Sequence, residues 1–162
     1  MFHGLTIREY IIANINHDSE YWSLGTGAHY IITYLLKYSD KDWKLLSRDI
    51  LKWSQEEVEI LAISLAYKEH FSQDTDRILR QRFNLFSQIF ENFEATEAYD
   101  LLDDLVEFLD LDVPELEKDS LQKIQIQFHN IKGLFKQENQ SQWFSEIQDK
   151  INQRVKTVEN KN

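Results

Sequence analysis

A chain of 162 residues with 42% hydrophobic side chains suffices for one domain with a real core, and it is too apolar for general disorder. It contains no cysteine, which excludes disulfides, thiolate metal sites and cysteine nucleophiles. Its net charge is −10, and the stretch that carries most of that charge would repel nucleic-acid phosphates.

Turn residues are scarce. Gly4, Gly25, Gly27, Gly133 and Pro114 are the whole set, too few for an all-β fold. Apolar residues instead recur at steps of three and four, the helical period. A first helix is expected over residues 6–16, with Ile7, Ile11 and Ile15 on one stripe. Residues 21–27 read as a loop, whose glycines lead into a second helix carrying Ala28, Ile31, Ile32, Leu35 and Leu36. Ser39 and Asp40 start a third, with Trp43, Leu46, Ile50 and Trp53 inward. Ser54 and Glu57 have capping-box spacing, so a fourth begins there and buries Val58, Leu61, Ala62, Leu65 and Ala66.

After a polar break at residues 72–75, a fifth helix carries Leu79, Phe83, Phe86, Phe90 and Phe93. Thr96 can cap a sixth, bearing Tyr99, Leu102, Leu105, Val106 and Leu109. Pro114 suits the first turn of a short helix. Ser120 is expected to cap a long one with Leu121, Ile124, Phe128, Ile131 and Phe135. Ser141 caps the last, with Phe144, Ile147, Ile151, Val155 and Val158, and residues 159–162 form a frayed tail. The expected fold is all-α with about eight helices, a multi-helix bundle or a short α-solenoid-like stack of antiparallel hairpins, in a single domain over residues 1–158.

The charge is concentrated. Between Glu91 and Asp119 lie twelve acidic residues and one base, Lys118, a net −11 that leaves the remainder at +1. Within it Glu97, Asp100, Asp104 and Glu107 follow helical spacing along the sixth helix, and Asp103 and Asp110 border them. Like charges so spaced cost a helix a few tenths of a kcal/mol per pair, about 0.2–0.5. Two readings follow: a solvated face that aids solubility, or an electrostatic surface for a basic partner. Trp22, in the 21–27 loop, is the expected exposed anchor of such an interface.

Catalytic patterns fail one by one. His3, His17, His29, His70 and His129 lack metalloprotease or di-iron spacing. The run Asp103-Asp104-Leu105-Val106-Glu107 is like an isoprenoid-synthase Mg²⁺ motif, but neither the larger domain nor the second motif is present. Glu56/Glu59, Glu91/Glu94 and Glu97/Asp100 are pairs of the kind that all-helical nucleotide pyrophosphohydrolases use for Mg²⁺, and pairs like these arise easily in so acidic a chain. Asp110-Leu111-Asp112 lacks the EF-hand glycine and meets Pro114. Asp119-Ser120-Leu121 matches the acyl-carrier attachment tripeptide without that family's acidic following helix. No catalytic residue, metal ligand or cofactor is expected.

Over roughly its first ninety residues the chain resembles the small helical immunity proteins of bacterial polymorphic toxin systems, including contact-dependent growth inhibition. The resemblance lies in Tyr21-Trp22-Ser23-Leu24-Gly25-Thr26-Gly27 before a helix, Asp42-Trp43 with Leu45-Leu46, Trp53-Ser54, Val58-Glu59-Ile60-Leu61, and the aromatic helix over residues 83–93. It implies a cytoplasmic, non-enzymatic protein that binds one toxin and blocks its active site. A basic toxin such as a nuclease would meet Glu97, Asp100, Asp103, Asp104, Glu107 and Asp110. The alternatives are a Mg²⁺-dependent nucleotide pyrophosphohydrolase and a generic helical adaptor. No secretory signal or membrane span is expected, in keeping with the cytoplasm.

Overall fold

The computed structural model describes residues 5–68, 71, 74–111 and 115–160, and these form helices joined by turns and short links, with no strand among them. The all-α reading holds. The chain forms two compact units, Met1–Leu79 and Arg80–Asn162, and the boundary falls inside one helix. His3, His70, Ser72, Asp112 and Pro114 lie outside the described residues.

The first unit is built from α1 (Ile7–Ala13), α2 (Ser19–Ser23), α3 (Thr26–Leu35), α4 (Asp40–Asp49) and α5 (Gln55–Leu65), followed by the start of α6 (Asp76–Asn92). A 3-10 turn, Ile50–Lys52, follows α4. Short polar side chains start most of these helices by satisfying amides that have no partner inside the helix. Thr6, Ser39 and Ser54 each accept a hydrogen bond from the amide three residues on, at 3.2 Å, and each N-cap amide donates back to Glu9, Asp42 or Glu57. Asp18 caps α2, and Thr75 accepts from Ile78 at the start of α6. Helix α3 packs against α2 and α5, and α1 against α3 and α5. The core there contains Ile7, Ile11, Trp22, Ile31, Ile32, Leu35, Trp43 and Leu61, all buried.

The expected loop over residues 21–27 is shorter than read. Asp18 starts α2, which runs to Ser23, and Gly25 already stands at the N-cap of α3. Gly27 then serves close packing. A Cβ there would come within 2.7 Å of both the Trp22 and Tyr21 rings. Trp22 is buried, and Tyr21 is held by a 2.5 Å hydroxyl contact with Tyr10 and by stacking on His17 at 4.0 Å. Trp22 is enclosed, and Tyr21 could yield only by giving up those two contacts. Gly27→Ala is therefore expected to destabilise by about 1–3 kcal/mol, against a helix-propensity gain of at most about 1. Urea unfolding checks this, and an unchanged midpoint would show that the rings do yield.

Glu57 links α5 to α1 through Arg8, at 3.4 Å. Burial raises its carboxyl pKa, but the Ser54 amide and the Arg8 guanidinium outweigh that and hold it below the usual carboxylate range. The stabilisation is therefore present above the usual carboxylate pKa, about 4.3, and is lost as pH falls through the lower folded-state value. Glu57→Gln should cost about 1 kcal/mol at neutral pH and nothing once Glu57 is protonated. Parallel unfolding curves from pH 7 to pH 3 test this; a cost independent of pH would contradict it.

The second unit holds the rest of α6, then α7 (Ala95–Tyr99), α8 (Leu102–Leu109), α9 (Lys118–Leu134) and α10 (Gln142–Glu159). Helix α7 packs on α9, α9 on α10, and α10 on α8. Its core is aromatic. Phe108 lies 5.0 Å from Phe86 and 5.5 Å from Phe83 between ring centroids, and Phe128 lies 5.4 Å from Phe144. Gln127, buried on α9, donates to the Phe90 carbonyl at 2.7 Å and to that of Phe93, supplying partners to the C-terminal end of α6.

Several boundaries differ from expectation. The sixth helix is split, because residues 100 and 101 turn on three-residue hydrogen bonds to Glu97 and Ala98. Thr96 is inside α7 and does not cap it. Residues 115–117 are not helical. Ser120 lies within the first turn of α9, buried, and donates to Asn84 at 2.6 Å, so it is not the cap. Ser141 does cap α10, accepting from Phe144. Val155 and Val158 are only half-buried, as the last turns of that helix leave the core.

Candidate functional site

The acidic segment belongs to the second unit, and the two short helices α7 and α8 present it. Its six predicted contact residues divide into three groups. Asp100 and Asp103 are exposed, one at the C-terminal end of α7 and the other in the first turn of α8. Glu97, Asp104 and Glu107 are half-buried. Glu97 accepts from the Glu94 amide at 3.4 Å, and Asp104 and Glu107 have interaction partners of their own. Asp110 is exposed but ion-paired to Lys150 of α10. The expected continuous stripe is therefore a broken one, interrupted by the turn between α7 and α8 and partly consumed by internal contacts.

Helix α10 supplies much of that compensation. Arg154 donates from Nε and Nη2 to the Leu109 carbonyl at 3.0 and 2.9 Å, and also to the Leu111 carbonyl. A guanidinium there satisfies carbonyls at the end of α8 and opposes the negative end of its dipole. Lys150 lies one helical turn earlier on the same helix. Outside residues 91–119 the second unit carries nine bases against four acids, so this half of the chain is bipolar in sequence. The spacing of Lys150 and Arg154 could have suggested a basic stripe. Their partnership with α8 depends on tertiary packing that spacing does not show.

The exposed carboxylates are those the unit leaves uncovered. Asp100 is notable because an anion at a helix C-terminus is disfavoured by the dipole. Asp103, in a first helical turn, is favoured by it.

Trp22 is not an exposed anchor. It lies on α2 and is 2% exposed, with its ring edge-on to Tyr10 and Tyr21 at 6.0 and 4.9 Å. An amphipathic short helix, started by Asp18, turns it inward where the sequence shows only a glycine-flanked segment. Among the described residues no group of three or more His, Asp or Glu side chains is arranged to hold a metal ion, and no helix is long and apolar enough to cross a membrane.

Among the described residues the chain is all-helical, and α7, α8 and their capping positions carry seven of the twelve acids between Glu91 and Asp119. Comparison with protein-family models, with curated proteins and with solved structures finds no match.

Proposed function

We propose that this protein is an immunity-type inhibitor that acts in the cytoplasm, binds one basic bacterial toxin and occludes its active site. Asp100 and Asp103 make the first electrostatic contact. The observation that carries this reading is the concentration of twelve acids between Glu91 and Asp119, of which Glu94, Asp100, Asp103, Asp110, Glu117 and Asp119 are exposed among the described residues, Asp110 in an ion pair with Lys150. Opposite fields of this kind raise association rates and select a partner by charge. A nuclease fits, because a cleft that must hold phosphate is basic. The similarity of the first ninety residues to immunity proteins supports the same reading.

The functional test is competition between cells. Cells of origin lacking this protein should be displaced by unmodified siblings in contact with them, and resupplying the protein should restore parity. Equal growth of the two populations would overturn the immunity reading.

A further inference from the structure

A concave site lies wholly within the first unit. Tyr10 of α1 and Thr26, His29, Tyr30, Thr33, Tyr34 and Lys37 line a pocket of about 390 Å³. The residues from 26 to 37 recur in steps of three and one, which puts them along one side of α3 and the turn after it. That volume lies at the lower end of the range for small-molecule sites, roughly 300–1,000 Å³.

The tyrosines are fixed before any ligand arrives. Tyr10 and Tyr30 stack at 3.8 Å and 8°, Tyr10 shares a 2.5 Å hydroxyl contact with Tyr21, and Tyr30 donates to the Leu5 carbonyl at 2.7 Å. Tyr34 continues the row, 6.3 Å from Tyr30 between ring centroids. Burial first, then neighbouring groups, holds the Tyr10 and Tyr30 phenols above their ordinary values. They are therefore neutral at physiological pH. Lys37 is the one lysine or arginine among the lining residues, no aspartate or glutamate is among them, and it makes no ion pair with any described residue.

Flat π-surfaces beside one unpaired cation select a planar molecule with a negative end. We propose that this pocket binds a small aromatic acid of one or two rings, its rings against Tyr30 and Tyr34, which are more exposed than Tyr10, and its carboxylate at Lys37.

A charge series on a constant ring tests it. Binding of 2-naphthoate, 2-naphthylmethanol and 2-naphthylmethylammonium is measured by ligand-observed NMR on the full chain. The acid should bind about tenfold more tightly than the alcohol, and the amine most weakly. Lys37→Met, at an exposed position, should erase the preference while leaving the alcohol unchanged. Thr33→Trp, also exposed, should fill the pocket and abolish all three, with the thermal melt confirming an intact fold. The proposal is overturned by equal binding of the three probes, by binding of none, by preference for the amine, or by an acid preference that survives Lys37→Met.

Discussion

Arg82→Met is expected to destabilise the protein by about 3–5 kcal/mol, more than any surface change considered above. Arg82 is completely buried on α6, beside Phe83 and close in sequence to Phe86, both also fully buried. A guanidinium carries a full charge and five N–H donors, and it is retained out of water only where both are matched. The side chain does have interaction partners. Methionine would conserve much of the volume but leave those partners facing an apolar side chain. Lysine should not rescue, because a compact ammonium cannot reproduce the planar fork. Denaturant midpoints of wild type, Arg82→Met and Arg82→Lys measure this. A loss under about 1 kcal/mol for methionine would show that Arg82 contributes packing alone.

Reversing Asp100 and Asp103 together to lysine is expected to slow association with the proposed basic partner by about tenfold or more at low salt, with little change in dissociation. Both side chains are exposed and neither terminates a core contact, so the fold should tolerate the change. The helix dipole even favours a cation at Asp100 while disfavouring one at Asp103, so the stability effects oppose each other. The difference between wild type and variant should shrink as salt shortens the Debye length from about 30 Å at 0.01 M to about 8 Å at 0.15 M. An unchanged association rate would move the interface off α7 and α8.

How much of this was legible in the sequence differs by kind of information. Local signals carried well. Ser54 with Glu57, Ser39 before α4 and Ser141 before α10 are caps whose partners lie within three residues, and they stand where read. The aromatic run Phe83, Phe86 and Phe90 faces the core because a 3.6-residue period leaves it no other side. What failed was long-range or lacked a breaker residue. The turn between α7 and α8 contains neither glycine nor proline, so periodicity reads straight through it. Ser120 looks like a cap until Asn84, thirty-six positions away, accepts its hydroxyl. Arg82 and Gln127 are polar residues at positions that a binary pattern assigns to solvent or leaves undecided, and only packing buries them.

The site followed the same division. The acidic density between Glu91 and Asp119 is a one-dimensional property and was plain. That Asp110 is paired depends on Lys150, forty positions away, and the carbonyls at the end of α8 are met by Arg154 from a similar distance in sequence. Trp22 was misplaced because Gly25 and Gly27 read as loop signals, whereas Gly27 is small to let Trp22 and Tyr21 approach α3. The tyrosine pocket had a faint signal in the Tyr30–Tyr34 spacing, four residues apart, but Tyr10 joins it only through the packing of α1 on α3.

The central claim is that this chain binds a basic protein through an electrostatic surface. It is tested most directly by capture from the cell of origin on tagged protein, washed at low and then at high salt, with the retained polypeptides identified by mass spectrometry. One basic, toxin-like polypeptide is expected, held at low salt and released as salt rises. Capture of an acidic partner, or of the same partner with no dependence on salt, would contradict it.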